Sequence, residues 1–168
     1  IKILTICIVL TASLKSFALP IEASKELQKS LVVSEELHIS EGLPHQAFER
    51  TLLKSELNRK DKTLIGSFPF YTPKVKATGD VEKSLRHILG SQSILRPHSD
   101  KLCGGFHPDY AISWYIEDED FSALICFGCG EVKFLTPSKT LHYDLTMKSL
   151  DSLKLLLKPF HSKRPLKN

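Results

Sequence analysis

Only one tryptophan and four cysteines occur in the 168 residues. Neither sign of charge dominates, with 23 Lys and Arg against 19 Asp and Glu. That balance gives no argument for nucleic acid or an acidic membrane as partner, and none is expected. The longest apolar run, Ile3 to Leu14, is interrupted by Thr5, Thr11 and Ser13, and falls short of the roughly 18–20 residues needed to span a bilayer. Gly130, not histidine, follows the Cys126-Phe127-Gly128-Cys129 motif, which excludes covalent haem attachment. Ser91, Ser93 and Ser99 lie in a loop-like stretch without a nucleophile elbow, so a serine hydrolase finds no support. There is no internal repeat and no low-complexity segment.

What is present begins with a leader. Lys2 precedes the apolar run, and Ser16-Phe17-Ala18 places small residues where a signal peptidase cuts. Residues 1–18 are expected to be a signal peptide, cleaved on secretion or passage to a periplasm. Cys7 lies inside the apolar run and has no small residue before it, so it is not read as a lipoprotein cysteine. Removing Lys2 and Lys15 lowers the basic count from 23 to 21 against 19 acids, a net charge of +2. No stable membrane span is expected after cleavage. Export means an oxidising compartment, where thiols pair. Three cysteines remain, so one disulfide leaves one thiol over.

At 42% hydrophobic, the chain has enough apolar side chain for one domain's core. Residues 19–62 read as a helical N-terminal segment: a helix over Ser24–Ile39, a break at Gly42, and a second helix from Pro44 to Leu57 with Phe48, Leu52 and Leu53 as its apolar stripe. Residues 63–160 read as an α+β domain. Thr63–Tyr71 forms one strand or two short ones, with Pro69 marking an edge. A helix over Val81–Leu89 turns Val81, Leu85, Ile88 and Leu89 inward and stops at Gly90. Strands at Glu131–Leu135 and Leu141–Leu145 follow. Thr146 caps a last helix whose apolar face is Leu150, Leu153, Leu156 and Leu157, and Pro159 stops it. Residues 161–168 read as a basic flexible tail. Together these predict an antiparallel meander of about four strands packed with helices.

The stretch Leu102–Leu135 organises this domain. Tyr110, Ile112, Trp114 and Ile116 put apolar residues on one face with period two, as do Phe121, Ala123, Ile125 and Phe127. Each run has the period of a half-buried strand. Glu117-Asp118-Glu119-Asp120 suits a solvated turn, with calcium binding a minor reading because a two-strand turn lacks the geometry of a calcium loop. Pairing Ile116 with Phe121 aligns both apolar faces, with Trp114 opposite Ala123 and Ile112 opposite Ile125. In that register Cys126 lies opposite Ala111 and Cys129 near Pro108, close to Cys103 and His107.

Cys103, His107, Cys126 and Cys129 then form a C-x3-H-x18-C-x2-C set. Three thiolates and one imidazole suit a closed tetrahedral Zn2+ shell, structural rather than catalytic. Gly130 helps, because the turn after the second cysteine favours positive φ. His98 and His142 are substitutes if His107 points away. An equally weighted reading is a disulfide from Cys103 to Cys126 or Cys129, with the third cysteine buried or reactive. A dithiol redox site is a weaker reading, because GEVKFL after the motif reads as a strand rather than a helix. Asp109 fits a backbone-satisfying role at the strand entry better than a partner orienting His107 for acid–base chemistry.

The segments LCGGFHPDYAISW and LICFGCGEVKFL, followed by an aliphatic helix, resemble exported bacterial proteins of uncharacterised function that share a cysteine, a hairpin and Cys-Phe-x-Cys. The resemblance covers roughly the last 70 residues and implies export without implying an activity. The expectation is a secreted or periplasmic, non-catalytic structural or binding module with a Cys/His cluster. A thiol-redox or metal-dependent enzyme is the alternative. A third reading is an inhibitor or adaptor whose partner is another exported protein.

Overall fold

The central hairpin forms because two runs of alternating apolar residues can each bury one face. β6 (Tyr110–Ile116) and β7 (Glu119–Cys126) pair antiparallel. This computed structural model describes residues 21–165; the expected signal peptide and the last three tail residues lie outside them. The register differs from the expected one by two residues: Trp114 faces Phe121, Ile112 faces Ala123 and Tyr110 faces Ile125. The four-acid turn is in fact a two-residue turn, Glu117-Asp118, with Glu117 at φ 54°. Two-residue turns with positive φ match the twist of paired strands. A slip of two leaves every side chain on its original face, so the apolar faces agree although the partners do not. Cys126 therefore lies beside Asp109 rather than Ala111. The Asp109 amide donates to Ile125 O at 2.8 Å, and Asp109 Oδ2 accepts from the Phe127 amide at 2.7 Å.

The hairpin is the middle of a seven-stranded sheet, larger than the four-strand meander expected. β8 (Glu131–Leu135) and β9 (Thr140–Leu145) extend it on one side, and β5 (Leu95–Pro97) closes that edge. On the other side lie β1 (His38–Glu41) and β4 (Val75–Lys76). All neighbours are antiparallel. β1 corrects the N-terminal reading. The first helix, α1 (Ile21–Val33), stops short of Ile39, and Ile39 instead enters the sheet opposite Ile112. The second helix is also shorter than expected: α2 spans Arg50–Glu56, and Phe48 is exposed before it. β2 (Lys62–Ile65) and β3 (Phe68–Tyr71) form a separate hairpin, with Pro69 in a two-stranded ladder that consists only of edges.

The two faces of the large sheet are covered differently. On one face α1, α3 (Gly79–Gly90) and α4 (Met147–Leu157) pack Leu27, Leu31, Leu85, Leu89, Leu150, Leu153 and Leu157 against Ile112, Trp114, Ala123, Val132 and Phe134. Trp114 is fully buried, and its Nε1 donates to Ser30 Oγ at 3.0 Å, which satisfies the one polar atom of the largest core side chain. Thr146 caps α4 as expected, accepting from the Ser149 amide. On the opposite face a smaller cluster of Phe70, Ala111 and Leu124 is roofed by Ile65, Phe68, Phe106 and Leu135. Among the described residues no helix is long and apolar enough to cross a membrane.

The described part of the tail is not a solvated end. Glu41, almost wholly buried, accepts from the amides of Ser162, Lys163 and Arg164 and from His161 Nδ1 at 2.6 Å. Arg164 reaches Asp109 Oδ1 at 2.9 Å and also pairs with Glu49. Its side chain is 14% exposed. Burial opposes its charge, but hydrogen bonds to both carboxylates more than compensate and raise its pKa. The C-terminal segment thus closes β1 and the start of β6 with a charge-assisted lock. Replacing Arg164 by Met should cost about 3 kcal/mol, because Asp109 and Glu49 lose their cation while half-enclosed. Urea unfolding of the variant and the wild type checks this; a loss within a few tenths of a kcal/mol would mean the tail contributes nothing.

Candidate metal and disulfide site

The cysteines meet at one end of the sheet. Cys103, in the loop before β6, is bonded to Cys129 in the turn between β7 and β8, 26 residues away. Of the pairings anticipated, this is the one formed, and the C-x-x-C residues are not bonded to each other. A loop of that length stabilises by about 3 kcal/mol through the denatured chain. Gly130 takes φ 66° directly after Cys129, as the turn demands. Cys126 is the leftover thiol. It is 1% exposed, and its sulfur accepts from the Cys129 amide at 3.2 Å. Burial pushes its pKa up, the reverse of an activated nucleophile.

His107 points away from the sulfurs. Its Nε2–H donates to Leu43 O at 2.8 Å, and its ring lies 4.5 Å from that of His45. The four expected ligands are therefore not gathered as one shell. Two are tied together, one is buried behind them and one faces Leu43. The substitutes take the place of His107. Among the described residues two groups of ligand atoms lie within 4.8 Å of one another: His98, Glu131 and His142, and Cys103, Cys129 and Glu131. Both contain Glu131, but with Cys103 and Cys129 bonded to each other only the His98, Glu131 and His142 group could hold a metal ion as the chain stands.

Strand geometry builds the first group. On β8 and β9, Val132, Phe134, Leu141, Tyr143 and Leu145 face the helices, so Glu131, Lys133, His142 and Asp144 face the other way. Register puts Glu131 opposite Asp144, and Lys133 opposite His142. His142 Nε2 lies 2.9 Å from Glu131 Oε2. His98, just beyond β5, stacks on His142 with centroids 3.7 Å apart, and its Nδ1 lies 3.3 Å from Asp144 Oδ1. Phe106 closes one side, edge-on to His142 at 5.5 Å. The Glu131 side chain is 4% exposed, so its charge must be balanced locally.

Lys101 does much of that balancing. Its Nζ lies 2.6 Å from Asp144 Oδ1 and 3.3 Å from Glu131 Oε1, and it donates to Cys129 O at 3.1 Å. Burial works against its charge, but hydrogen bonds to Asp144 and Glu131 outweigh that and raise its pKa. Burial likewise disfavours the Asp144 carboxylate, yet hydrogen bonds from Lys101 and Ser99 hold its pKa down. Burial lowers the pKa of His142, which keeps its imidazole neutral and able to act as a ligand at neutral pH. Sequence reasoning did not single out Glu131, Asp144 or Lys101. The signal lay in the strand parity and in the β8–β9 register.

A cleft of about 510 Å³ on the same side of the sheet lies apart from this cluster, between the β2–β3 hairpin and Ser40, Ser113, Ser122 and Tyr115. The fold is α+β, with a disulfide beside a His98–Glu131–His142 group able to hold a metal. Comparison with protein-family models, curated proteins and solved structures finds no match to this chain.

His107 gives the molecule an acid-sensitive element. Burial lowers its pKa from 6.5 to about 4. The folded state then binds fewer protons than the unfolded chain, so stability from this group is complete above about pH 6.5 and declines as pH falls towards 4. A His107→Asn variant should lose less stability than the wild type between those limits. Urea midpoints measured at pH 7, 5.5 and 4.5 check this; parallel profiles would contradict it.

Proposed function

We propose that this protein is a small exported binding module, without catalysis of its own, that holds a divalent transition-metal ion, zinc by donor type, between His98, Glu131 and His142. The observation that carries the reading is the nearly inaccessible Glu131 carboxylate beside the stacked imidazoles of His98 and His142, all ligand atoms within 4.8 Å. Imidazole and carboxylate oxygen are borderline-to-hard donors suited to zinc. The Cys103–Cys129 bond supports the same reading by fastening the loop that carries His98 and Lys101 beside β8. Export rests on the leader-like N-terminus and on the disulfide's preference for an oxidising compartment.

Three protein donors would leave a fourth direction for water in a catalytic zinc centre. Here the Lys101 ammonium already contacts the Glu131 and Asp144 carboxylates, which favours binding over catalysis. Metal uptake then amounts to exchanging one cation for another at Glu131.

Calorimetric titration of oxidised, metal-free protein with Zn2+ tests the proposal. One ion per chain is expected. His142→Ala should weaken binding by roughly tenfold or more. Lys101→Met should strengthen it by about tenfold, equivalent to about 1.4 kcal/mol, because the competing ammonium is gone. The same variant without metal should be about 2 kcal/mol less stable, because both carboxylates lose their ammonium partner. An absence of binding, or equal affinity in the wild type and His142→Ala, would overturn the reading.

A further inference from the structure

We propose that the Cys103–Cys129 disulfide is a redox gate on the metal cluster: reducing it adds two sulfur ligands to Glu131 and converts a weak nitrogen–oxygen site into a tight thiolate site. The inference rests on the metal reading above and deepens it.

The two donor groups are not independent, because each contains Glu131 and each has its ligand atoms within 4.8 Å of one another. The sulfurs are bonded to each other and have no charge to offer an ion. Reduction changes the donor set without requiring the fold to change. The disulfide takes up two electrons and two protons from a dithiol, which itself becomes a disulfide, and the S–S bond is replaced by two S–H bonds. Binding of a divalent ion then displaces both protons. The backbone allows the sulfurs to part. Gly104 and Gly105 follow Cys103 with φ 79° and 91°, and Gly130 follows Cys129 with φ 66°, so both cysteines sit at glycine turns. Lys101 already donates to Cys129 O and to Glu131, and that ammonium would favour the thiolate forms beside it. Two thiolates with Glu131 and one imidazole from His98 or His142 complete a four-donor shell of a type that zinc prefers. Cys126 takes no part in either group, and its sulfur is occupied by the Cys129 amide.

The test compares Zn2+ affinity and Co2+ absorption for protein with the disulfide intact and for protein reduced by a trialkylphosphine, which takes up oxygen from water as it reduces the bond and does not chelate the metal as a small dithiol would. Reduction should tighten zinc binding by at least about tenfold and produce thiolate-to-cobalt charge-transfer absorption. That absorption should weaken in Cys129→Ser, vanish when Cys103 and Cys129 are both replaced by Ser, and persist in Cys126→Ala. Unchanged affinity, no thiolate absorption, or absorption that survives replacement of both Cys103 and Cys129 would overturn the gate. Loss of the near-ultraviolet signal of buried Trp114 on reduction would overturn it too, because the geometry needs the folded turn. The oxidised arm alone reports on the His98–Glu131–His142 reading. If it shows no binding while the reduced protein binds through sulfur, that reading fails and the gate stands.

Discussion

A carboxylate sealed from water needs a positive partner, and the end of this sheet is arranged around meeting that need for Glu131. Its side chain is 4% exposed. Lys101 supplies the charge and two imidazoles supply polar contacts, from two parts of the chain: Lys101 and His98 from the loop between β5 and β6, and His142 from β9. An isolated buried carboxylate would cost several kcal/mol or shift to its neutral form. Because the compensating groups surround it from different elements, they also hold those elements together. A divalent ion is a stronger solution to the same electrostatic problem, which is why the cluster reads as a metal site.

The disulfide and the strand register make the arrangement possible. Glu131 is the first residue of β8 and lies two positions after Cys129, so the crosslink to Cys103 brings the loop carrying His98 and Lys101 over it. β8–β9 pairing then sets Asp144 directly opposite. At the neighbouring strand ends a second charge network follows the same logic. Glu41, Glu49 and Asp109 are answered by Arg164, His161 and tail amides. The two networks fasten loops and the C-terminal segment whose own apolar content is too small to hold them.

Much of this was legible where a pattern repeats often enough to be read. Strands β6 to β9 and helices α3 and α4 each carry at least two full periods of apolar residues, and their buried faces agree with expectation. β4 and β5, with two and three residues, show no alternation at all. β1 reads as helix from sequence because the Glu-, Lys-, Leu- and Gln-rich run Ser24–Ile39 contains no Pro or Gly to mark a stop after Val33. The hairpin register was off by two because face parity is blind to even slips, and only the conformation of Glu117 distinguishes a two-residue turn from a four-residue one. At the site, the identity of the cysteines was readable but their pairing was not, since three thiols allow three pairings. His107 was favoured over His98 and His142 because the expected hairpin register set Cys129 near Pro108, beside it. In the fold, the orientation of the strand entry sends it to Leu43 instead. Arg164 looked like an ordinary solvated charge, because nothing local reveals that Asp109 and Glu49 await it.

X-ray absorption at the zinc edge of oxidised, zinc-loaded protein addresses the central claim directly. A shell of nitrogen and oxygen at about 2.0–2.2 Å, with imidazole scattering and no sulfur, is the predicted result. It would place the ion on His98, Glu131 and His142 with the disulfide intact. Sulfur at about 2.3 Å would contradict the account, because the ion would then have taken the cysteines and the Cys103–Cys129 bond would not be the resting state of the protein.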